Sequence, residues 1–405
     1  MKPTLTKRFI AAFVFAAINI YACTQATEDD SGVANGEGVL LPDGTAFSRD
    51  SLIQAFANCI VSEIENFEEQ SRAFSEAANA AVLDPTKYEA AQESWQSTID
   101  LWQELEVMQW GPAGSSTEPG GQGLGDAIYV WPLTNPCAID GHLAAEDYAD
   151  NLNTISSSAS GLCAAEYLLF YTGDTNACGP EEELNTSGSW NLLDEVTLNT
   201  RRLSYAAFAA DTVADVASDL LNAWSPSGQN FLAEFVQAGE GSRTYGKKRV
   251  AINAVSDALF YVEWNTKDNK LGRPLGLIGC EEDFCPELVE SEYAHRSKEH
   301  LRNNMIGFRK IFKGCGADNE GLGFDDYLYA VGQAELGEAI DQAALTTIAA
   351  LDAIEEEELG VALEEDIESV FAVHSALREL TDLLRSDFLA ALRLELPVLV
   401  QGDND

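Results

Sequence analysis

Apolar side chains recur at three- and four-residue steps along almost the whole chain, which is the period of an amphipathic α-helix. The first such stretch carries Leu52, Phe56, Ile60 and Ile64, and Ser48 stands before it as a candidate N-cap. Alternating patterns typical of strands are scarce. The pattern predicts helices over 48–82, 85–108, 137–152, 157–171, 190–223, 228–238, 243–268, 288–313, 324–354 and 363–394.

One apolar stripe on each helix predicts an all-α protein of two helical-bundle domains packed side by side. We place the N-terminal bundle at 47–182 and the C-terminal bundle at 183–396, followed by an acidic tail at 397–405. The segment over 111–126 is rich in glycine and is predicted to be a long loop. Long loops in compact domains are usually functional or flexible, so this loop marks the segment after it as a candidate site.

The first 22 residues have the pattern of a signal peptide, with three cations before a short apolar run. This run ends in Ile20-Tyr21-Ala22-Cys23, which resembles the bacterial lipobox. The pattern predicts that Cys23 is lipidated and attaches the chain to the outer or inner membrane, on the periplasmic side of the cell envelope. Thr24 favours the outer membrane, and residues 23–46 are typical of a flexible tether. An ordinary signal peptide with a chance cysteine is the alternative.

The net charge of −43 changes the set of possible partners. Nucleic acid is excluded as a partner, because phosphate binding requires clustered lysine and arginine. The charge does not indicate disorder, because 46% of the residues are hydrophobic. The acidic residues are spread over the predicted helices, which is typical of solvated surfaces.

Export predicts disulfides, because the envelope is an oxidising compartment. Seven cysteines remain after Cys23, so at least one is free or pairs between chains. Cys280 and Cys285 bracket a short acidic loop, and we predict that they pair. We also predict a Cys59–Cys137 bond.

Five stretches resemble, in order, segments of the imelysin family, bacterial envelope proteins also grouped as M75 peptidases. They are WQELEVMQWGP (102–112), AIYVWPLTNPCAID (127–140), GLCAAEYLLFYTG (161–173), NAVSDALFYVEWNTKDNKLGRPL (253–275) and VESEYAHRSKEHLRNNMIGFRKIFKG (289–314). The resemblance implies two helical bundles with a site between them, near the third stretch. It also implies a link to bacterial iron uptake.

The third stretch aligns with the family signature Gly-x-His-x-x-Glu, with Cys163 in place of the histidine and Glu166 retained. Side chains three residues apart lie on one face of a helix and can share a metal. A thiolate favours softer metals than imidazole does, so the replacement puts a metal-dependent reaction in doubt. His142 is a further candidate ligand. The cofactor stays unknown, with iron or another divalent metal as the candidates.

Polar and aromatic residues in the other matching stretches complete the candidate site. Asp126, Tyr129, Trp131 and Asn135 follow the Gly-rich loop and suit a small ligand pocket, although a packed crossover explains them equally. The remaining candidates are Lys270, Arg273, Glu290, Ser291 and Ser297. The two cations are notable because basic residues are scarce, and they suit an anion or a pairing with Glu166.

These observations predict an imelysin-like envelope lipoprotein that binds a metal, a small ligand or a partner protein in iron uptake. A metallopeptidase of the M75 type is the first alternative, although the chain lacks the HExxH helix of common zinc peptidases. A non-catalytic scaffold with a decayed metal site is the second.

Overall fold

The computed structural model describes residues 35–149 and 155–401. The predicted signal peptide, Cys23 and the tether as far as residue 34 lie outside this part. Within it, the regular secondary structure is helical, apart from one isolated bridge between Leu40 and Ala46. The prediction of an all-α fold is confirmed. In the same part of the chain, no helix is both long and apolar enough to cross a membrane.

Fifteen α-helices are present in the described ranges. They are α1 (Arg49–Leu83), α2 (Tyr88–Leu105), α3 (Leu124–Ile128), α4 (Pro136–Ala145), α5 (Gly161–Phe170), α6 (Glu183–Thr186), α7 (Glu195–Trp224), α8 (Phe231–Val236), α9 (Lys248–Leu259), α10 (Ser297–Phe312), α11 (Phe324–Ala330), α12 (Ala334–Asp352), α13 (Leu359–Glu365), α14 (Ile367–Leu383) and α15 (Leu389–Leu392). Two π-helices cover Val262–Gly272 and Leu384–Phe388.

The long helices match the predicted ranges, and their caps explain where they begin and end. The Ser48 side chain accepts a hydrogen bond from Ser51 N and caps α1, as predicted. α4 ends at Ala145 rather than at 152, because Glu146 adopts a left-handed conformation with φ 56°. The predicted helix over 324–354 is broken between α11 and α12, where Gly332 has φ 81°.

The predicted helix over 288–313 begins only at Ser297. The segment before it, residues 289–296, contains two non-glycine residues with positive φ, Ser291 at 54° and His295 at 55°. Such residues cannot continue a right-handed helix. We call residues 289–296 the site loop.

Packing joins the two halves of the chain. α1 packs against α2 and α7, and α7 also packs against α5. In the second half, α12 packs against α14, and α10 packs against α2 of the first half. The division into bundles at 47–182 and 183–396 stays a prediction, but α7, which follows the predicted boundary, lies against helices that precede it.

Parts of the predicted tether and of the predicted acidic tail are packed on the helices. Leu41 is buried within the predicted tether, and the Phe47 ring stacks on Tyr327 of α11 with centroids 5.0 Å apart. Val400, in the predicted acidic tail, is buried, and its carbonyl accepts a hydrogen bond from Arg385 at 2.6 Å. The folded body therefore begins before residue 47 and extends past residue 397, because apolar side chains in both segments find partners on the helices. Residues 402–405 lie outside the described part.

The disulfides are Cys59–Cys315, Cys137–Cys178 and Cys280–Cys285. The structure therefore agrees with the predicted pairing of Cys280 with Cys285, whereas the predicted Cys59–Cys137 bond is wrong. Cys59 lies on α1, which the end of α10 approaches, as the 2.8 Å contact of Lys310 with Glu63 shows. Cys137 instead lies beside the loop that carries Cys178. Cys163 is the free cysteine of the described residues, and it is buried.

Candidate functional site

A buried set of charged and amide side chains lies where α2, the first π-helix and α10 meet. Gln103 and Glu106 come from the C-terminal end of α2 and the turn after it. Lys270 comes from the π-helix, and His300 and Asn304 come from α10. All five residues are at most 4% exposed. Burial of so many polar groups requires that they satisfy one another.

Lys270 is the centre of this network. Its Nζ atom donates hydrogen bonds to Gln103 Oε1 at 2.6 Å, Glu106 Oε2 at 2.8 Å and Asn304 Oδ1 at 2.9 Å. An ammonium group has three N–H donors, so these bonds use all of them. Glu290 Oε2, at 3.1 Å, is an ion-pair partner rather than a fourth acceptor. The predicted importance of Lys270 and Glu290 thus corresponds to a direct pairing between them, and not to a pairing of Lys270 with Glu166.

Glu290 is the second residue of the site loop and is fully buried. Its Oε1 atom accepts hydrogen bonds from the Tyr129 hydroxyl at 2.8 Å and from Gln103 Nε2 at 3.3 Å. His300 Nδ1 lies 3.1 Å from Oε2, at an angle that does not make a hydrogen bond. His300 Nε2 also has no hydrogen-bond partner among the described residues. The imidazole therefore contributes to Glu290 by its charge distribution rather than by a directed bond.

The two carboxylates around Lys270 differ in their pKa. Burial raises the pKa of Glu290, but the charge of Lys270, the nearby His300 and the hydrogen bond from Tyr129 outweigh burial and lower the pKa below its usual range. Burial raises the pKa of Glu106 above its usual range, Lys270 offsets part of this effect, and Glu290 raises the pKa further. Glu290 therefore loses its proton at a lower pH than Glu106 does.

Glu166 lies on α5 and supports the site loop from behind. Its Oε1 atom accepts hydrogen bonds from Ser291 Oγ at 2.9 Å, Tyr293 N at 3.2 Å and Ala294 N at 3.1 Å. A buried carboxylate must be paired, hydrogen-bonded or protonated. Here it supplies acceptors for backbone N–H groups of a segment that has no regular structure of its own. Glu166 therefore fixes the path of the loop.

Replacing Glu166 with alanine is expected to lower the free energy of unfolding by about 2–3 kcal/mol, because one buried and two partly buried donors lose their acceptor. Glu166→Gln is expected to lose less than half of that amount, because the amide oxygen can accept the same bonds. Urea unfolding followed by circular dichroism measures both differences. Equal losses in the two variants would show that the charge of Glu166, and not its acceptor oxygen, stabilises the loop.

Cys163 and Glu166 do not fit a metal centre in this arrangement. Burial raises the pKa of the Cys163 thiol to about 12, and the Thr134 side chain and the Val130 backbone offset only part of this shift. The thiolate is the form that binds metals, so Cys163 is a poor ligand at neutral pH. Glu166 Oε1 already accepts three hydrogen bonds. Over 35–149 and 155–401, no group of three or more His, Cys, Asp or Glu side chains is arranged to hold a metal ion.

His142 is occupied elsewhere on the surface of α4. Its Nδ1 atom lies 2.8 Å from Asp147 Oδ1, and the neighbouring Glu146 pairs with Arg201 at 2.9 Å. His142 and Glu146, four residues apart in sequence, thus have separate partners. His142 therefore has a local partner and gives no support to a metal site at Glu166.

The other predicted residues divide between the network and the surface. Ser297 belongs to the network, because its hydroxyl donates to the backbone carbonyl of Glu290. Asp126 is exposed, and Asn135 caps α4 by accepting a hydrogen bond from Ala138 N at 3.0 Å. Trp131 is partly buried and precedes a cis proline, and Arg273 is partly buried at the end of the π-helix. The structure connects none of these four to the network by a hydrogen bond or an ion pair.

Sequence reasoning missed Gln103, Glu106, His300 and Asn304 as members of the site. Gln103 and Glu106 are three residues apart, and Trp102 and Leu105 beside them are buried. His300 and Asn304 are four residues apart on α10, which places them on one face. Polar residues at helical spacing within an apolar stripe were the available signal.

The fold and site thus define an all-α protein with a buried ion network that supports a loop between helices. A family model described as Imelysin (peptidase M75) matches residues 57–386. The curated Iron-regulated protein A of Synechococcus elongatus is 23% identical over 325 residues, which cover 80% of this chain and 78% of that protein.

Two solved structures share the fold. A putative iron-regulated protein A precursor from Parabacteroides distasonis has a TM-score of 0.67 and 16% identity, and the match covers 86% of this chain and 97% of that one. An imelysin-like protein from Psychrobacter arcticum has a TM-score of 0.63 and 18% identity, with 86% and 98% covered. The chain belongs to the imelysin family, as the resemblance in the sequence predicted.

Proposed function

We propose that this protein acts in bacterial iron uptake as a lipid-anchored envelope protein that binds a ligand or a partner protein. The relative from Synechococcus elongatus is named Iron-regulated protein A, which supports the link to iron. The lipobox-like sequence that ends in Cys23 supports attachment by lipid, and Thr24 supports the outer membrane. Two attachment signals or a strong lipid anchor are needed for stable membrane binding, and a triacylated cysteine supplies such an anchor.

A binding role, rather than peptidase activity, rests on one observation. At the signature position, Glu166 accepts three hydrogen bonds from the site loop, and Cys163 is a buried thiol with a raised pKa. A metallopeptidase needs ligands that are deprotonated and free to hold a metal with an open position. The signature residues in this chain stabilise a loop instead.

The iron-uptake role is tested by deleting the gene in the source bacterium and measuring growth with and without an iron chelator. We expect a growth defect only under chelation, restored by the full-length chain and not by Cys23→Ala. Arg243→Ala, a change at an exposed surface ion pair, is the matched control and is expected to restore growth fully. Equal growth of the deletion and parent strains at every chelator concentration would overturn the iron-uptake role.

A second measurement tests the binding role against catalysis. The purified full-length chain is incubated with a peptide library, alone and with added Zn²⁺, Fe²⁺ or Mn²⁺. We expect no cleavage beyond that of a heat-denatured sample. Cleavage that is lost in Glu166→Ala and retained in Arg243→Ala would identify a peptidase and overturn the binding role.

A further inference from the structure

The site loop also forms one wall of a surface cleft. The opposite wall is the start of α13, with Glu358, Leu359, Val361 and Glu364, and the cleft has a volume of about 190 Å³. Its floor includes Ser291 and Ser297, each 4% exposed. The cleft therefore lies directly above the buried network, on the solvent side of the loop that Glu166 supports.

The charged residues that line the cleft are acidic, apart from His295. Glu287, Glu292, Glu358 and Glu364 line the cleft together with His295, and none of its lining residues is lysine or arginine. His295 Nδ1 lies 3.2 Å from Glu358 Oε2 across the cleft. Val289, Leu359 and Val361 supply apolar surface between these carboxylates. Four carboxylates disfavour an anionic ligand, whereas apolar walls with a carboxylate rim suit a cation on an aliphatic stem.

The size of the cleft limits what can occupy it. Pockets for drug-sized ligands have volumes of roughly 300–1,000 Å³, so a chelated iron complex of that size does not fit. A bare metal ion is disfavoured too, since the lining carboxylates belong to the described residues that form no metal-holding group. A volume of about 190 Å³ suits one long side chain.

We propose that the cleft binds a basic side chain, arginine or lysine, presented by a partner protein. This inference rests on the proposed binding function and names the chemical class of partner. The methylene stem lies along Val289, Leu359 and Val361, and the cationic head reaches the carboxylates of Glu292 and Glu364.

The floor of the cleft is held in place from below. Ser291 Oγ donates to Glu166, and Ser297 Oγ donates to the carbonyl of Glu290. Both serines are thereby fixed with their remaining lone pairs as acceptors. Glu166 is a positioning residue for the cleft, which gives the retained signature glutamate a role without a metal.

The test is a titration of the full-length chain, purified in detergent, with N-acetyl-arginine amide and N-acetyl-lysine amide. Ligand-observed NMR reports binding at this affinity, which for so few atoms is expected on the order of 1 mM. N-acetyl-citrulline amide, a neutral isostere of arginine, is the ligand control and is expected to bind at least about tenfold more weakly, because it lacks the charge. Raising the salt to 0.5 M is expected to weaken arginine binding several-fold.

The protein variant Glu292→Gln/Glu364→Gln is expected to weaken binding of the basic amides at least about tenfold, because the cationic head loses two partners. The matched control is Glu368→Gln/Glu379→Gln, which removes two exposed carboxylates from α14. It changes the net charge by the same amount as the cleft variant does. Glu166→Ala is expected to weaken binding, and Glu166→Gln to restore most of it. Equal binding by both double variants, no binding by either basic amide, or Zn²⁺ binding that only the cleft variant loses would each overturn the proposal.

The two proposals fail separately. Binding of arginine amide without an iron-dependent growth defect would overturn the iron-uptake role alone. An iron-dependent growth defect without binding of either basic amide would overturn the cleft proposal alone.

Discussion

Replacing Lys270 with methionine is expected to lower the free energy of unfolding by about 3–5 kcal/mol, as for other buried ion pairs that lose one partner. The methionine fills a similar volume, so the loss comes from charge rather than from a cavity. Glu106 and Glu290 would remain buried without their shared cation, and Gln103 and Asn304 would lose a donor. Urea unfolding monitored by circular dichroism measures the difference.

Two further variants separate charge loss from general disruption. Lys270→Met/Glu106→Gln is expected to recover at least about 1 kcal/mol, because one of the uncompensated carboxylates becomes neutral. Lys248→Met is the matched control, since Lys248 pairs at 2.7 Å with Asp50, whose side chain is 55% exposed. Its loss is expected to stay below about 1 kcal/mol. A Lys270→Met loss as small as that of Lys248→Met would contradict a tightly packed, dry network.

Removing the Cys59–Cys315 disulfide by Cys59→Ser/Cys315→Ser is expected to lower the free energy of unfolding by about 5–6 kcal/mol. The bond joins α1 to the segment after α10 across a sequence separation of 256 residues. A crosslink over a long loop removes more conformational entropy from the unfolded chain than one over a short loop. The bond at Cys137–Cys178 shortens this loop by only a small fraction.

The Cys280–Cys285 bond provides the matched control, because its sequence separation is only 5. Cys280→Ser/Cys285→Ser is expected to cost about 2 kcal/mol on the same relation. Thermal unfolding of both double variants in oxidising buffer compares the two losses. An equal loss in the two variants would show that contacts of the disulfides in the folded state, and not the length of the closed loop, determine how much stability is lost.

Helical periodicity predicted the long helices well because each buries a stripe that is visible in the sequence. It failed where the backbone leaves the helix without losing the pattern. The clearest case is the site loop. Its sequence pattern continues that of α10, but the positive φ values of Ser291 and His295 exclude a right-handed helix there. Their conformation is held by Glu166, which is more than 120 residues away in sequence.

The candidate site was predicted in part. Glu166, Lys270, Glu290 and Ser291 came from matched segments, and the structure places all four in or against the network. Their hydrogen-bond and ion-pair partners were not predictable, because the local sequence on α5, the π-helix and the site loop does not indicate which distant residue each side chain contacts. The misassigned partner of Cys59 has the same origin.

The sequence by itself determined the fold class, the family and the sign of the surface charge, because each depends on composition or on local spacing. The tertiary structure alone decided the partners: Lys270 with Glu106 and Glu290, Glu166 with the site loop, and Cys59 with Cys315. Partner choice depends on how distant helices pack, and packing brings together groups that no local pattern relates. The same packing turned the signature glutamate from a candidate metal ligand into a support for the cleft above it.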